Sequence, residues 1–518
     1  MLNEALALTA LYGSSSLTVG SLFSTQALLS KNSQALAFDN RTLSYGELAA
    51  RVNQLTRALG RLGVKPGDRL AVISENRLEY IELLLSAARL GAIVACQNWR
   101  QTDEELGHCL ELVSPVILIY SSKYAATVDR LGRSERKLLL GDEYERLLAR
   151  ESAFETLDAA APEDIFIILY TSGTTGAPKA AAISHRAMIA RCAINNVDGS
   201  VFPDRASIYW SPFFHIASTE GVLHNLLRGG KAVVFEGFDI DKIKAAVARE
   251  QRIGLLQLMP GTIERALQGF SDMPLEPGTV MVTGAMADLV PGNQIAAITS
   301  MLQAPFRNTF GSTETGAPPA GRGLIPIGTK PERLSKLQSS FCHLRLVGED
   351  GHEVGVGVPG EVAIRGPSLF SGYWGDGAAN AEAFRQGWYH MGDVLVRNED
   401  GSLDFVDRRK YLIKSGGENI YPAEIERYLL ASPRIAEAVV VRRSDPRWGE
   451  VPVAFVVKGD DTLTSEDVLN LCRGRIANYK LPKHVSFVAH GDLPRSATGK
   501  IQRFVLERGL SSESVDAK

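Results

Sequence analysis

The residues best suited to chemistry lie in Ile165–His185, IFIILYTSGTTGAPKAAAISH. The apolar run Ile165–Leu169 predicts a buried strand. It feeds a loop of Thr171, Ser172, Gly173, Thr174, Thr175 and Gly176, with Lys179 three positions beyond. The two glycines let the backbone approach a ligand closely and adopt positive φ. Four hydroxyls, exposed N–H groups and a nearby cation suit a polyphosphate. The spacing is not GxxxxGK[ST], so this is not a Walker A loop. The same composition also makes an ordinary surface turn, and the loop alone leaves both readings open.

Three further clusters stand downstream. Asn308–Gly316, NTFGSTETG, sets Phe310 and Gly311 before Thr313 and Glu314; read alone it is also a helix start capped by Ser312 or Thr313. Tyr389–Glu426 carries Asp393, Arg408, Lys410, Lys414 and Asn419 around the glycine pair Gly416-Gly417. Such a stretch can be a polar β-hairpin with solvated charges. Leu493–Arg503, LPRSATGKIQR, presents Lys500 in a glycine-containing loop.

Elements with recognisable periods must hold these clusters. Ser44–Leu62 has apolar positions three and four apart and reads as an amphipathic helix ending at Gly63. A turn at 64–68 leads to a buried strand at Arg69–Ile73, another helix, and a strand at Ala92–Cys96. This β-α-β rhythm predicts an α/β fold: mostly parallel sheets flanked by helices. Leu344–Trp374, with Gly and Pro between short β-rich runs, predicts a small antiparallel subdomain. The end of the chain changes to an α+β pattern: helix at AEIERYLLAS, strands at AEAVVVRR and VPVAFVVKG, helix at SEDVLNLCRGRIANY, and a frayed tail, SSESVDAK. The predicted division is a large domain over 1–408 and a smaller one over 409–518.

The chain has 518 residues, too many for a single core. Hydrophobic residues are 45%, charged residues 22%, and net charge is −3, which offers no basic excess for nucleic acid or an anionic membrane. No uncharged apolar run reaches the roughly 18 residues of a membrane span. Cys96, Cys109, Cys192, Cys342 and Cys472 form no CxxC pair, so neither a zinc cluster nor a disulfide framework is expected. Free thiols and the absence of a basic leader point to the cytoplasm.

YTSGTTGAPK closely resembles the signature loop of the acyl-adenylate-forming (AMP-binding) superfamily, which includes acyl-CoA synthetases, luciferases and peptide-synthetase adenylation domains. Ala180 departs from the glycine that often follows the lysine. The other clusters resemble the family's later motifs in the family's order, from 165 to 503. The resemblance implies that the loop holds the β- and γ-phosphates of ATP. Phe310, replacing the more frequent Tyr, lies against the adenine, Thr313 bonds the α-phosphate and Glu314 helps hold Mg²⁺. Val282–Leu289, VTGAMADL, is a looser match lacking the usual second glycine and the proline; there Gly284, Ala285 and Met286 border the adenine and acyl pocket. Asp393 takes the ribose hydroxyls and Arg408 the ribose and phosphate side. Lys414 and Asn419 face the adenylate, and Lys500 is the adenylation lysine. Lys410 is the hinge of a mobile C-terminal domain, and Ser415, Gly416 and Gly417 line the path of coenzyme A.

The implied activity is that of an acid–thiol ligase of the fatty-acid or aryl-acid CoA ligase type. ATP activates a carboxylic acid as acyl-AMP with release of pyrophosphate, and coenzyme A takes the acyl group. His215, in Ser211–Asn225, is at a gate-like position of the acyl pocket or is a packing residue beside two Phe. Small residues at Ala217, Gly284, Gly311 and Ala317 point to a medium-sized or cyclic apolar acid. The expected partners are that small acid and a second copy of the chain. Two other readings compete: an adenylating enzyme that loads a carrier protein, and a nucleotide-binding protein without turnover.

Overall fold

Ser44 opens a helix because its hydroxyl accepts from Glu47 N–H while the Glu47 carboxylate returns to Ser44 N–H, a reciprocal capping box. The helix runs over Tyr45–Arg61 and buries Leu48, Val52, Leu55 and Leu59 on one face. Each such side chain contributes about 1.5–3 kcal/mol relative to exposure. A strand follows at Arg69–Ile73 and another at Ile93–Cys96, as their apolar runs predict. The computed structural model describes residues 17–133, 135–156, 158–172, 178–199, 205–285, 290–495 and 501–513.

Two seven-stranded sheets form the large N-terminal domain. In one, Ile93–Cys96, Arg69–Ile73, Ile117–Tyr120 and Arg136–Leu139 run parallel to Ile165–Ser172. Pro178–Ser184 and then Gly372–Tyr373 extend it antiparallel. The other is built on Ala206–Tyr209, Lys231–Val234, Ile253–Gln257, Val280–Ala285 and Phe306–Asn308, all parallel. Helices such as Leu78–Leu90, His185–Asp198 and Ile216–Leu227 supply the shared core with Leu84, Met188 and Leu223.

A smaller antiparallel sheet carries His343–Val347, Gly360–Arg365, Trp388–Arg397 and Leu403–Arg408. It therefore extends to Arg408 rather than ending near Trp374, while Gly372–Tyr373 joins the distant seven-stranded sheet. The C-terminal sheet begins at Ile413 and includes Ile435–Asp445 and Gly449–Lys458, packed by helices Pro422–Leu430, Ser465–Cys472 and Arg503–Glu513. The helix expected over 465–479 stops at Cys472, since Gly474 turns the chain at φ +72. Ser511–Glu513 belongs to the last helix, not to a frayed tail. The five cysteines are free and buried. Among the described residues, no helix is long and apolar enough to cross a membrane.

His185, at the start of its helix, is fully buried against Phe166, and its Nδ1 accepts from Val19 N–H. Burial holds its pKa down at about 4, against 6.5 in the unfolded chain. The native state keeps the neutral ring, so this stability is complete above pH 6.5 and is lost as pH falls toward 4. Urea unfolding should give about 2 kcal/mol less stability at pH 5 than at pH 7 from this ring alone. His185→Gln should remove that part of the pH slope; an unchanged slope would assign the acid sensitivity elsewhere.

Candidate active site

The glycine-threonine loop joins two paired strands. Thr171 stands opposite Lys179 and Ser172 opposite Pro178 across the hairpin Ile165–Ser172 and Pro178–Ser184. Gly173, Thr174, Thr175 and Gly176 lie outside the described residues, as does the Ser172 side chain. Below the loop Tyr170 is locked: its hydroxyl accepts from Gln97 Nε2 at 2.9 Å and donates to Cys109 O at 3.1 Å.

Lys179 is half-buried, its ammonium 5.1 Å from the centroid of the Tyr373 ring. Tyr373 is brought there by the short strand Gly372–Tyr373, which pairs with Ala182 and Ala181. The Tyr373 hydroxyl donates to Glu314 Oε1 at 2.9 Å. Burial, and then the Glu314 charge, push the phenol pKa up, so it stays a neutral donor. Lysine, tyrosine and carboxylate thus form one line.

Glu314 sits in a turn rather than at a helix start. Strands Phe310–Ser312 and Gly316–Arg322 are antiparallel, and Ser312 N–H donates to Thr315 Oγ1 while Glu314 N–H donates to Ser312 Oγ. The Ser312 and Thr315 hydroxyls bind within the turn instead of capping a helix. Phe310 is 1% exposed, its ring 6.5 Å from that of Phe405 in the small-sheet core. Gly311 is buried beside it. The Glu314 carbonyl accepts from Phe370 N–H and from Arg191 Nη2.

Asp393 and Arg408 face each other across the hairpin Trp388–Arg397 and Leu403–Arg408, with Arg408 Nε 2.9 Å from Asp393 Oδ1. Asp393 is 2% exposed, so the stretch is a hairpin whose central charge is not solvated. Lys410 lies in the one-turn segment Arg409–Tyr411 between the small sheet and the C-terminal sheet. Lys414 and Asn419 are opposite each other on an exposed hairpin, and Lys414 Nζ pairs with Glu349 at 2.9 Å. This arrangement turns Lys414 toward Glu349 rather than toward Glu314. Ser415 pairs with Gly449, and Gly416 N–H donates to Trp448 O. A Cβ at Gly416 would meet the Trp448 ring at 2.8 Å, whereas one at Gly417 would meet nothing within 4 Å.

Gly284 lies opposite Arg307 in the parallel sheet, and a Cβ there would sit 2.4 Å from Arg307 O. The Ala285 side chain and Met286 lie outside the described residues. His215 is half-buried at the N-terminus of Ile216–Leu227 with its ring 4.7 Å from Phe214, and Ala217 is exposed on the first turn. Lys500 lies outside the described residues.

Sequence reasoning missed Tyr373, Arg191, Glu220 and Trp448. Gly-Tyr-Trp at 372–374 offered an aromatic signal, but its partner strand is remote in sequence. Arg191 gave none, because an arginine on a helix is ordinarily solvated.

Magnesium has a fitting ligand here. Glu314 is a hard oxygen donor, 7% exposed, with one oxygen oriented by Tyr373. No group of three or more His, Cys, Asp or Glu side chains suited to a metal exists among the described residues. One carboxylate plus substrate phosphates is the usual Mg²⁺ arrangement at such sites.

Two family models match the chain: AMP-binding enzyme over residues 23–374 and AMP-binding enzyme C-terminal domain over 424–500. Indoleacetate–CoA ligase of Aromatoleum aromaticum is 36% identical over 90% of this chain and 93% of its own. Feruloyl-CoA synthase of an Amycolatopsis species is 33% identical over 93% of this chain and 97% of its own. The crystal structure of ATP-bound MatB from Rhodopseudomonas palustris has a TM-score of 0.83 at 26% identity, covering 95% of this chain and 99% of that one. The chain belongs to the AMP-binding enzyme family, as an AMP-forming acid–CoA ligase.

Proposed function

We propose that the acid is cyclic or aromatic and largely apolar. Two relatives above 30% identity support this, being named for indoleacetate and ferulate. Ala217 supports it too, since its small side chain leaves room where a bulky one would fill the pocket.

The observation that carries the assignment of roles is the line Lys179, Tyr373, Glu314. In the first half-reaction the substrate carboxylate, ionised at neutral pH, attacks the α-phosphorus and pyrophosphate leaves. Lys179 neutralises the outgoing phosphates together with Thr171, Ser172 and the loop N–H groups of 173–176. Thr313 holds the α-phosphate, Glu314 takes Mg²⁺, and Asp393 and Arg408 hold the ribose. Magnesium, when bound, neutralises the polyphosphate charge. Lys500 bridges the carboxylate and the α-phosphate as charge shifts between them. Phe310, Gly311 and the 284–286 segment border the base, and His215 and Ala217 border the acyl group.

In the second half-reaction the CoA thiol attacks the acyl carbon and AMP leaves. The division at 408/409 is the pivot: the domain over 409–518 turns about Lys410 and replaces the Lys500 face by the Lys414–Asn419 hairpin. The open space above Gly417 then admits pantetheine. Cytoplasmic location fits five reduced cysteines and a supply of ATP and CoA. A homodimer is the proposed assembly, testable by light scattering.

A panel of indoleacetate, ferulate, benzoate, octanoate and acetate decides the acid class by pyrophosphate release, and AMP release with and without CoA decides the acceptor. The cyclic acids should be fastest. Acetate or octanoate exceeding every cyclic acid of the panel would reject the acid class, and AMP release indifferent to CoA would reject the acceptor. Tyr373→Phe removes one hydrogen bond to a charged group, about 1.5–3 kcal/mol, so acyl-AMP formation should fall about tenfold or more with a higher Mg²⁺ requirement. Unchanged Mg²⁺ dependence would remove Tyr373 from the site.

A further inference from the structure

The Thr313–Glu314 turn is gripped from beneath by a cation that none of the motifs contains. Arg191 stands on helix His185–Asp198 with its side chain 0% exposed. Its Nε donates to Ser368 O at 2.8 Å, and Nη2 donates to Glu314 O at 3.0 Å and Thr313 O at 3.2 Å. Its Nη1 is 3.8 Å from Glu220 Oε2 on the neighbouring helix Ile216–Leu227. Asn195 Nδ2 in turn donates to Glu220 Oε1 at 3.0 Å.

Burying a guanidinium costs several kcal/mol, and apolar side chains of similar volume often fill such places with equal or better stability. What an apolar side chain cannot do is hold three carbonyls of two separate segments at fixed positions. Arg's planar fork does so with little loss of freedom per bond. The second segment matters as much as the first. Ser368 leads into Gly372–Tyr373, and Tyr373 bonds the Glu314 carboxylate. One cation thus registers the turn against the strand that orients its carboxylate. Gly316 shows how tightly the cation is enclosed: at φ +71, a Cβ would come within 2.8 Å of Arg191 Cδ and 2.7 Å of Glu220 Oε2.

We propose that Arg191, backed by Glu220, is a positioning residue for the adenylation step. It fixes Thr313 and Glu314 where nucleotide phosphate and metal are taken, and so rests on the reading of those two residues given above. It touches no substrate, and the thiol step, which keeps the α-phosphate at Thr313 but no longer needs Glu314 and its metal, depends on it less.

The test compares Arg191→Gln, Arg191→Lys, Glu220→Gln and Glu314→Gln in the full chain. Three quantities are measured: the Mg²⁺ dependence of pyrophosphate release, the melting shift given by MgATP, and AMP release from supplied acyl-AMP with CoA. Arg191→Gln should lower acyl-AMP formation by about 30-fold or more, raise the half-saturating Mg²⁺ by about fivefold, and at least halve the MgATP melting shift. The CoA half-reaction, which still uses Thr313 but not the metal, should fall several-fold less than acyl-AMP formation, and Arg191→Lys should recover part of each loss. Glu220→Gln should move the same quantities less, and it decides the matter if Arg191→Gln does not fold. Equal loss in both half-reactions, or an unchanged Mg²⁺ requirement and MgATP shift, would overturn the proposal. A normal Mg²⁺ requirement in Glu314→Gln would instead overturn the underlying reading of Glu314.

Discussion

Lys500→Ala should lower acyl-AMP formation by about a thousandfold, while thioester formation from supplied acyl-AMP stays within about threefold. The carboxylate and the α-phosphate are both anionic as they approach, and the negative charge redistributes between them as the bond forms. A lysine placed between them is worth more in that transition state than in the ground state, which is the condition for raising kcat. Losing one such group typically costs 10²–10³ in rate. The flanks of the 496–500 segment are firmly tied to the C-terminal domain. Arg495 pairs with Ile501 in an isolated bridge, and Gln502 N–H donates to Pro494 O. Beyond it, Arg503 binds Glu426 Oε2 at 2.8 Å and Val440 O at 3.0 Å. In the proposed rotation these ties would carry the 496–500 segment with that domain. When the proposed rotation brings the 414–419 hairpin to the site, Lys500 leaves, which is why the second half-reaction should be spared. The two steps are separated by measuring pyrophosphate release in one assay and acyl-CoA from synthetic acyl-AMP in the other. A matching loss in both would contradict the role.

The elements most legible in the sequence are those whose determinants are local. Ser44 and Glu47 cap a helix, the apolar run at 69–73 is a strand, and both stand where the pattern places them. Composition left the loop after Thr171 open between a surface turn and a phosphate cradle, and it read Asn308–Gly316 as a capped helix start where the structure has a turn between antiparallel strands; only the resemblance to a family singled both out. What was not legible depends on pairing between remote segments. Gly372–Tyr373 looked like part of the small β subdomain, yet its partners are Ala181 and Ala182. That pairing delivers Tyr373 to Glu314 and Lys179. Likewise the helix at Ser465 ends at Cys472 although its apolar spacing continues, because Gly474 adopts a left-handed conformation that spacing does not reveal. Arg191 is the strongest case. Its helix gives no sign that one arginine points inward, since the compensating carbonyls come from Thr313, Glu314 and Ser368. Lys414 shows the complement: the motif places it near the adenylate, and the domain arrangement pairs it with Glu349. In the proposed rotation, position in a motif specifies which surface a residue belongs to, and domain orientation specifies when that surface is used.

Asp393→Asn should weaken both half-reactions, each by about a hundredfold, and this distinguishes it from Lys500→Ala. The ribose is present in ATP and in the acyl adenylate, so the group that holds it serves both steps. Asp393 is 2% exposed, and Arg408 Nε fixes Oδ1 at 2.9 Å. In the proposed role the carboxylate accepts from the ribose diol. An amide can accept at one oxygen only and brings no charge, so charge-assisted bonds worth about 1.5–3 kcal/mol each are weakened or lost. At 1.4 kcal/mol per factor of ten, losing one to two of them gives about the hundredfold stated. Folding should suffer less, because Arg408 keeps 40% of its side chain exposed and can be hydrated once its partner is neutral. The decisive measurement pairs the variant with 2′-deoxy- and 3′-deoxy-ATP in a double-mutant cycle. The native enzyme should lose activity on at least one deoxy nucleotide, and Asp393→Asn should discriminate far less between that nucleotide and ATP. If the native enzyme uses both deoxy nucleotides as well as ATP, Asp393 does not hold the ribose, and its buried pair with Arg408 serves only to close the hairpin.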